Sequence, residues 1–179
     1  MAVALVVVAG AACGDDKDDK NAGETTPAAA GRQAVTITLS DYAFGDVPRT
    51  IAGSTPIAVK NSSANEAHEL VAFLLPETET RSLTELQALP PDQFGAIIPG
   101  APALAIAARP NEDGELVLGD GTLREPGRYL LVCFIPTGAD PDQVMTAMQA
   151  ADPNAGPPQI DGGPPHLAAG MIAELVVTP

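Results

Sequence analysis

Residues 129–134 form a run whose two faces are both apolar once the chain is extended. Alternate side chains of a strand point to opposite sides, so Tyr129, Leu131 and Cys133 share one face. The residues between them are also apolar and share the other face. A strand that buries both faces lies inside a sheet that is covered on both sides. We therefore interpret this run as a central strand, preceded by the turn signal Pro126–Gly127.

Short strands and turns account for most of the remaining pattern. Val35, Ile37 and Leu39 alternate with polar residues, which is typical of a half-buried strand. The 18 prolines and 17 glycines, with no tryptophan, fit many short elements better than long helices. We therefore predict one all-β domain at residues 34–179. A turn is predicted at 41–46, and further strands are predicted at 47–51, 55–60, 67–75, 103–108, 114–119 and 171–177.

Two segments have helical rather than strand periodicity. Residues 82–89 begin with Ser82, which is placed to cap a helix, and Glu85 follows three residues later as in a capping box. This helix is expected to end at Pro90–Pro91, because proline cannot continue a helix. Residues 140–151 begin with an aspartate and a proline and form a second candidate helix. Both are interpreted as short insertions into the β domain, the first of them without chemistry of its own.

The N-terminal part of the chain does not resemble a folded domain. Residues 1–12 are small and apolar, too short to span a bilayer, and suit the core of a signal peptide. Ala11-Ala12-Cys13 then resembles the end of a bacterial lipobox, which predicts lipid on Cys13. Residues 13–33 contain an acidic run and then Gly, Thr, Pro and Ala, so they predict a flexible tether. We expect an exported protein, lipid-anchored to the outer face of a bacterial membrane.

The charge of the chain limits its partners. The formal net charge is −14, which disfavours nucleic acid and anionic membrane surfaces. The membrane contact that we expect is therefore the lipid anchor alone. The same charge would attract a basic protein.

Metal-ligating side chains are few and fall in a particular order. The chain has two histidines and two cysteines, and only Cys133 lies in the predicted β domain. His68 opens a strand, Cys133 ends the central strand, and His166 lies on a loop, with four residues between it and Met171. Two imidazoles, one thiolate and a weak thioether are the donors of a blue-copper site. These four residues are the candidate metal ligands.

The order His68, Cys133, His166, Met171 on an all-β domain resembles the cupredoxin family. The segments Val59-Lys60-Asn61 and His68-Glu69-Leu70 resemble the family's first ligand region, and Gly170 before Met171 resembles its last loop. The resemblance implies a Greek-key β-sandwich with one type 1 copper centre: His68, Cys133 and His166 would be the trigonal donors and Met171 the axial one. It also implies an electron carrier rather than an enzyme, with a redox partner protein that the charge suggests is basic.

The chain departs from the family in the distance between two ligands. Thirty-two residues separate Cys133 from His166, whereas relatives have only a few. Lengthening a flexible loop tenfold costs only about 2 kcal/mol of closure entropy, so a copper site tolerates the insertion.

Other functions are compatible with the same residues. The domain could store, sense or deliver copper without redox cycling, or it could be a metal-free interaction module whose four candidate ligands do not converge. A disulfide between Cys13 and Cys133 would compete for the thiol, unless Cys13 carries lipid. The sequence contains no catalytic triad pattern, no phosphate-binding glycine loop and no Cys-x2-Cys pair. Its two histidines are too few for a multicopper oxidase.

Overall fold

A computed structural model of the protein describes residues 32–98, 100–151 and 158–179. The predicted signal peptide, Cys13 and the tether up to residue 31 lie outside the described residues. Within these ranges the chain forms nine strands, three α-helices and one 3-10 helix. The strands are β1 (Val35–Ser40), β2 (Ala43–Gly45), β3 (Thr50–Ala52), β4 (Ile57–Asn61), β5 (His68–Leu74), β6 (Leu104–Ala108), β7 (Glu115–Leu118), β8 (Gly127–Val132) and β9 (Ile172–Thr178). The helices are α1 (Leu83–Gln87), α2 (Pro91–Ile97), α3 (Pro141–Ala150) and the 3-10 helix His166–Ala169.

The strands form two sheets that enclose one main core. The smaller sheet has the order β2-β1-β4, and the larger has the order β3-β9-β8-β5-β6-β7. The pairs β1/β4 and β3/β9 are parallel, and the other pairs are antiparallel. Side chains from both sheets, including Ile37, Leu39, Leu70 and Leu131, meet in the main core. The predicted all-β sandwich with short helical insertions is confirmed.

Strand β8 is central, as the two apolar faces predicted. It lies between β9 and β5 in the larger sheet. Tyr129 and Leu131 point into the main core, whereas Leu130 and Val132 belong to a second apolar cluster on the other face of the sheet. Helices α1 and α2 contribute buried residues to that second cluster and so cover the face that would otherwise be exposed.

The insertion between β5 and β6 contains two helices where one was predicted. Ser82 caps α1 and forms the expected capping box with Glu85. The α1 helix ends before Pro90, as expected, but α2 begins directly at Pro91. Proline is favoured in the first turn of a helix because its fixed backbone angle suits that position and its missing N–H would have no partner there. Pro91 therefore begins the second helix, whereas α1 has already ended at Gln87.

The predicted turn at residues 41–46 is shorter in the structure. Ser40 and Ala43 pair across a tight turn formed by Asp41 and Tyr42, and residues 43–45 form β2. Tyr42 has a φ of 61°, the left-handed conformation that allows the chain to reverse within two residues. The prediction of one long turn was wrong because the reversal lies at Asp41 and Tyr42, neither of which is a glycine that would mark it, whereas Gly45 belongs to β2.

No helix in the described ranges is long and apolar enough to cross a membrane.

Candidate metal centre

Two of the candidate ligands lie at one edge of the larger sheet. Strands β5 and β8 are antiparallel neighbours, so the beginning of β5 and the end of β8 fall on the same side. His68 is the first residue of β5, and Cys133 follows directly after β8. The backbone N–H of Glu69 donates a hydrogen bond to Cys133 Sγ over 3.4 Å. The sulfur is thereby held against the strand that carries His68.

The loop before β5 is ordered by a buried asparagine. Asn61 Nδ2 donates to the carbonyls of Glu66 (2.8 Å) and Ala108 (3.2 Å), and its Oδ1 accepts from Ser63 N–H at 2.9 Å. These bonds join β4, the loop and β6. His68 therefore begins its strand at a fixed position.

His166 reaches the same edge on the 3-10 helix before β9. The helix ends at Gly170, whose φ of 107° is a left-handed conformation that glycine adopts readily. This reversal allows Met171 N–H to donate to the His166 carbonyl over 3.1 Å. The ring of His166 is buried.

The three donor atoms converge. His68 Nδ1 lies 3.0 Å from His166 Nδ1, which lies 3.3 Å from Cys133 Sγ, and one donor atom from each residue lies within 4.8 Å of the other two. All three side chains have no solvent exposure. Two imidazoles and a thiol, buried together with these atoms facing one another, suit copper.

Met171 lies beside the cluster through its backbone. Its carbonyl accepts from Cys133 N–H at 3.3 Å, and its own N–H donates to His166. Its side chain is fully buried in the main core, the same core that contains Cys133. The role of Met171 as the axial donor stays a prediction.

The ends of the Cys133–His166 connection, residues 134–165, are joined by backbone hydrogen bonds. They form an antiparallel arrangement that closes the base of the connection, so its 32 residues do not separate the two ligands. Helix α3 lies within the connection, and its Val144 and Met148 pack into the main core. The backbone bonds are His166 N–H to Ile135 O (3.0 Å), Leu167 N–H to Cys133 O (2.9 Å), Thr137 N–H to Pro164 O (3.0 Å) and Gly163 N–H to Thr137 O (2.8 Å).

Burial sets the protonation of the donors in the metal-free protein. It lowers the pKa of His68 to about 4, with a further lowering from His166 and an opposing effect of Asp41. It also lowers the pKa of His166, against the opposing effect of Glu66. Burial raises the pKa of the Cys133 thiol, and nearby Glu69 raises it further. At neutral pH both imidazoles are therefore neutral, as metal ligands must be, whereas the thiol must lose a proton when a metal binds.

Several residues around the donors were not predicted from the sequence. Asp41 Oδ1 lies 3.7 Å from His68 Nε2, and Glu66 Oε2 lies 3.5 Å from His166 Nε2. The ring of Tyr42 packs edge-on against His166, with 5.1 Å between ring centroids. These contacts depend on how the turn after β1 and the loop before β5 are placed in space. No local sequence signal could have found them.

Glu69 is a buried carboxyl beside the site, and the sequence contains a signal that could have identified it. It is 4 % exposed, and its Oε1 accepts the N–H of Phe134 over 2.9 Å. It is the one acidic residue in the apolar run 67–75. Acidic residues are rarely buried without a partner, so this position already pointed to a specific contact.

The fold and the donor set define a cupredoxin-like domain with the ligands for one type 1 copper centre. The sandwich places His68, Cys133 and His166 at one edge, as the sequence predicted.

Solved structures with a similar arrangement include auracyanins. Reduced auracyanin from Roseiflexus castenholzii is 18% identical, with 83% of this chain and 100% of that chain covered and a TM-score of 0.42. Auracyanin A, a "blue" copper protein from Chloroflexus aurantiacus, is 19% identical, with 82% and 100% covered and a TM-score of 0.42. No protein-family model matches the chain, and no curated protein matches it. Because these TM-scores are below 0.5, the assignment of the site depends on its own donors and geometry.

Proposed function

We propose that this protein is a one-electron carrier whose single copper ion is held by His68, Cys133 and His166, with Met171 as a weak axial donor. The observation that carries the proposal is the convergence of two imidazole Nδ1 atoms and one thiol sulfur in a fully buried cluster. Copper bound there would alternate between Cu(II) and Cu(I) and so carry one electron.

The surrounding backbone supports this role. The hydrogen bond from Glu69 N–H holds the Cys133 sulfur, and the paired ends of the Cys133–His166 connection hold His166. Donors that cannot move keep similar positions in both oxidation states, which favours rapid electron exchange. Their burial also excludes water from the site.

The two alternatives fit the geometry less well. A storage or delivery module must release its ion, yet none of the three donor side chains is exposed. A metal-free interaction domain would have its histidine and cysteine at separate ends of the sandwich. Here the strand that begins with His68 donates a hydrogen bond to Cys133.

A basic redox partner is the best fit to the charge near the site. The side chain of Asp41 is 63% exposed beside His68, and Glu66 is partly exposed beside His166. Tyr42 is half-buried, and its ring packs against that of His166. A positively charged protein that docks on these residues would approach the site closely, and the net charge of −14 would accelerate its association.

Visible absorption after addition of Cu(II) tests the proposal. We expect an intense band in the orange-red region that disappears with a reductant and returns with an oxidant. Loss of all copper on desalting, under oxidising and reducing conditions alike, would contradict a copper function. Copper that is retained without reversible cycling would favour storage or delivery.

Export and lipid anchoring through Cys13 are part of the same proposal. They are supported by the apolar run 1–12 and the Ala11-Ala12-Cys13 sequence, followed by an acidic tether. When the chain is expressed in a bacterium, we expect Cys13 to incorporate a labelled fatty acid and the protein to fractionate with membranes. The variant Cys13→Ala should lose both properties, whereas equal labelling of the two proteins would exclude this anchor.

A further inference from the structure

The two imidazoles of the site each have one nitrogen that no group in residues 32–98, 100–151 and 158–179 hydrogen-bonds. Their Nδ1 atoms face each other, and their Nε2 atoms are buried. Among the described residues, neither Nε2 atom has a hydrogen-bond partner. Each nevertheless faces one carboxylate: Asp41 lies 3.7 Å from His68 Nε2, and Glu66 lies 3.5 Å from His166 Nε2.

The proposed ligation determines which nitrogen carries the proton. If both Nδ1 atoms bind the metal, each neutral ring must have its hydrogen on Nε2. A buried N–H without an acceptor is unfavourable. A movement of less than about 1 Å would bring either carboxylate oxygen to hydrogen-bond distance. Metal-bound histidines commonly donate their other N–H to a carboxylate, which raises the basicity of the ligand.

Glu66 is held in place by contacts that do not involve the histidine. Both of its carboxylate oxygens accept the N–H of Gly138, each over 3.2 Å. Its own carbonyl accepts from Asn61 Nδ2 at 2.8 Å. Its side chain is 17% exposed. The carboxylate is therefore fixed between the Cys133–His166 connection and the ring of His166.

Asp41 is placed by the two-residue turn between β1 and β2. Tyr42, the other residue of that turn, has a φ of 61°, which is an unfavourable conformation for an aromatic residue. Its ring packs against His166 while Asp41 faces His68. Unfavourable backbone conformations tend to persist where function requires them. The two residues of one turn thus contact both imidazoles.

We propose that Asp41 and Glu66 are positioning residues for the copper ligands: each accepts the Nε2 hydrogen of one imidazole, fixes its tautomer and favours Cu(II) over Cu(I). This inference rests on the proposed function, because it requires copper at the site. Glu66 has the larger effect, since its carboxylate is largely buried and its charge is less screened than that of Asp41.

Three single variants of the full chain test this inference. Glu66→Gln removes the charge but keeps an oxygen that can accept from Gly138, so the structural contact remains. Asp41→Asn removes the charge from a turn in which asparagine is well tolerated. Asp161→Asn is the matched control, because it removes one exposed carboxylate from the same connection as Gly138.

The first measurement compares Cu(II) affinity, Cu(I) affinity and reduction potential. In Glu66→Gln we expect the Cu(II) affinity to fall about tenfold, the usual scale for loss of such a contact. Cu(I) affinity should change little, so the potential should rise by about 59 mV, the equivalent of tenfold for one electron. Asp41→Asn should shift the potential in the same direction by less. Asp161→Asn should match wild type.

The second measurement observes the imidazole protons directly. In nitrogen-correlated proton spectra of the diamagnetic Cu(I) protein, both ligand rings should carry hydrogen on Nε2 and exchange it slowly with solvent. In Glu66→Gln, the Nε2 hydrogen of His166 should exchange faster. A merely structural role of Glu66 would change neither the tautomer nor the potential.

The outcomes separate this inference from the proposed function. Wild-type protein that retains no copper would overturn both. Wild-type protein with a normal blue band, combined with equal potentials in Glu66→Gln and Asp161→Asn, would overturn this inference alone. If Glu66→Gln does not fold, Asp41→Asn decides the question, because Asp41 lies on an exposed turn.

Discussion

Cys133→Ser is expected to abolish the orange-red absorption band and the retention of Cu(II) on desalting. A serine hydroxyl is a hard donor that stays protonated at neutral pH, so it cannot replace the soft thiolate that copper prefers. The substitution preserves size at a fully buried position, which keeps the sandwich able to fold. Visible absorption, electron paramagnetic resonance and copper content after desalting measure the result.

Cys13→Ser provides the control for this prediction. It also removes one cysteine, but from the predicted lipid-anchored segment, so the band and the copper content should equal those of wild type. A band that survives in Cys133→Ser, or that disappears in Cys13→Ser, would contradict the assignment of Cys133 as the copper ligand.

Glu69→Gln is expected to change how the stability of the metal-free protein depends on pH. Burial raises the pKa of Glu69 from 4.5 to about 7, against the opposing hydrogen bond from Phe134. The folded protein therefore holds this proton more tightly than the unfolded chain does. The resulting stabilisation is fully present below pH 4.5 and is lost as the pH rises through 7. A difference of this size between the folded and unfolded pKa of Glu69 corresponds to about 3 kcal/mol in the free energy of unfolding.

Urea unfolding of both proteins between pH 4.5 and pH 8, with copper removed by a chelator, measures this effect. Wild type should lose about 3 kcal/mol relative to Glu69→Gln across that range. The glutamine oxygen can still accept from Phe134 N–H, so the contact itself is retained. His68 and His166 titrate in both proteins, and their contributions cancel in the comparison. Parallel pH profiles would show that folding does not raise the pKa of Glu69 above its value in the unfolded chain.

The sequence predicts the central parts of this fold because they depend on local patterns. The two apolar faces of residues 129–134 identify β8, and the capping box at Ser82 identifies α1. The convergence of the three donors was predicted from the order His68, Cys133, His166 and its resemblance to the cupredoxin family. The antiparallel pairing of β5 and β8, which brings two of them together, is seen only in the structure. The donor set of two imidazoles and one thiolate then favours copper over other metals.

The residues that contact the outer side of the imidazoles could not be predicted in the same way. Asp41 and Glu66 lie in a turn and a loop whose composition is ordinary for such segments. Their importance comes from the distance to rings that are far away in the sequence. The second helix of the first insertion was missed for a different reason: Pro91 can end a helix or begin one, and only the packing of Phe94 and Ile97 decides which.

The closed base of the Cys133–His166 connection makes the geometry of the site independent of the length of the insertion. The backbone hydrogen bonds that position His166 involve residues 133–137 and 163–167. They therefore do not involve the residues between these two segments. Apart from Gly138, which holds Glu66, the buried Ala139 and the core contacts of α3, residues within the connection can therefore be replaced, lengthened or given new surface chemistry while the ligands stay in place. Such a protein can acquire specificity for a new partner next to its metal centre without changing the centre itself.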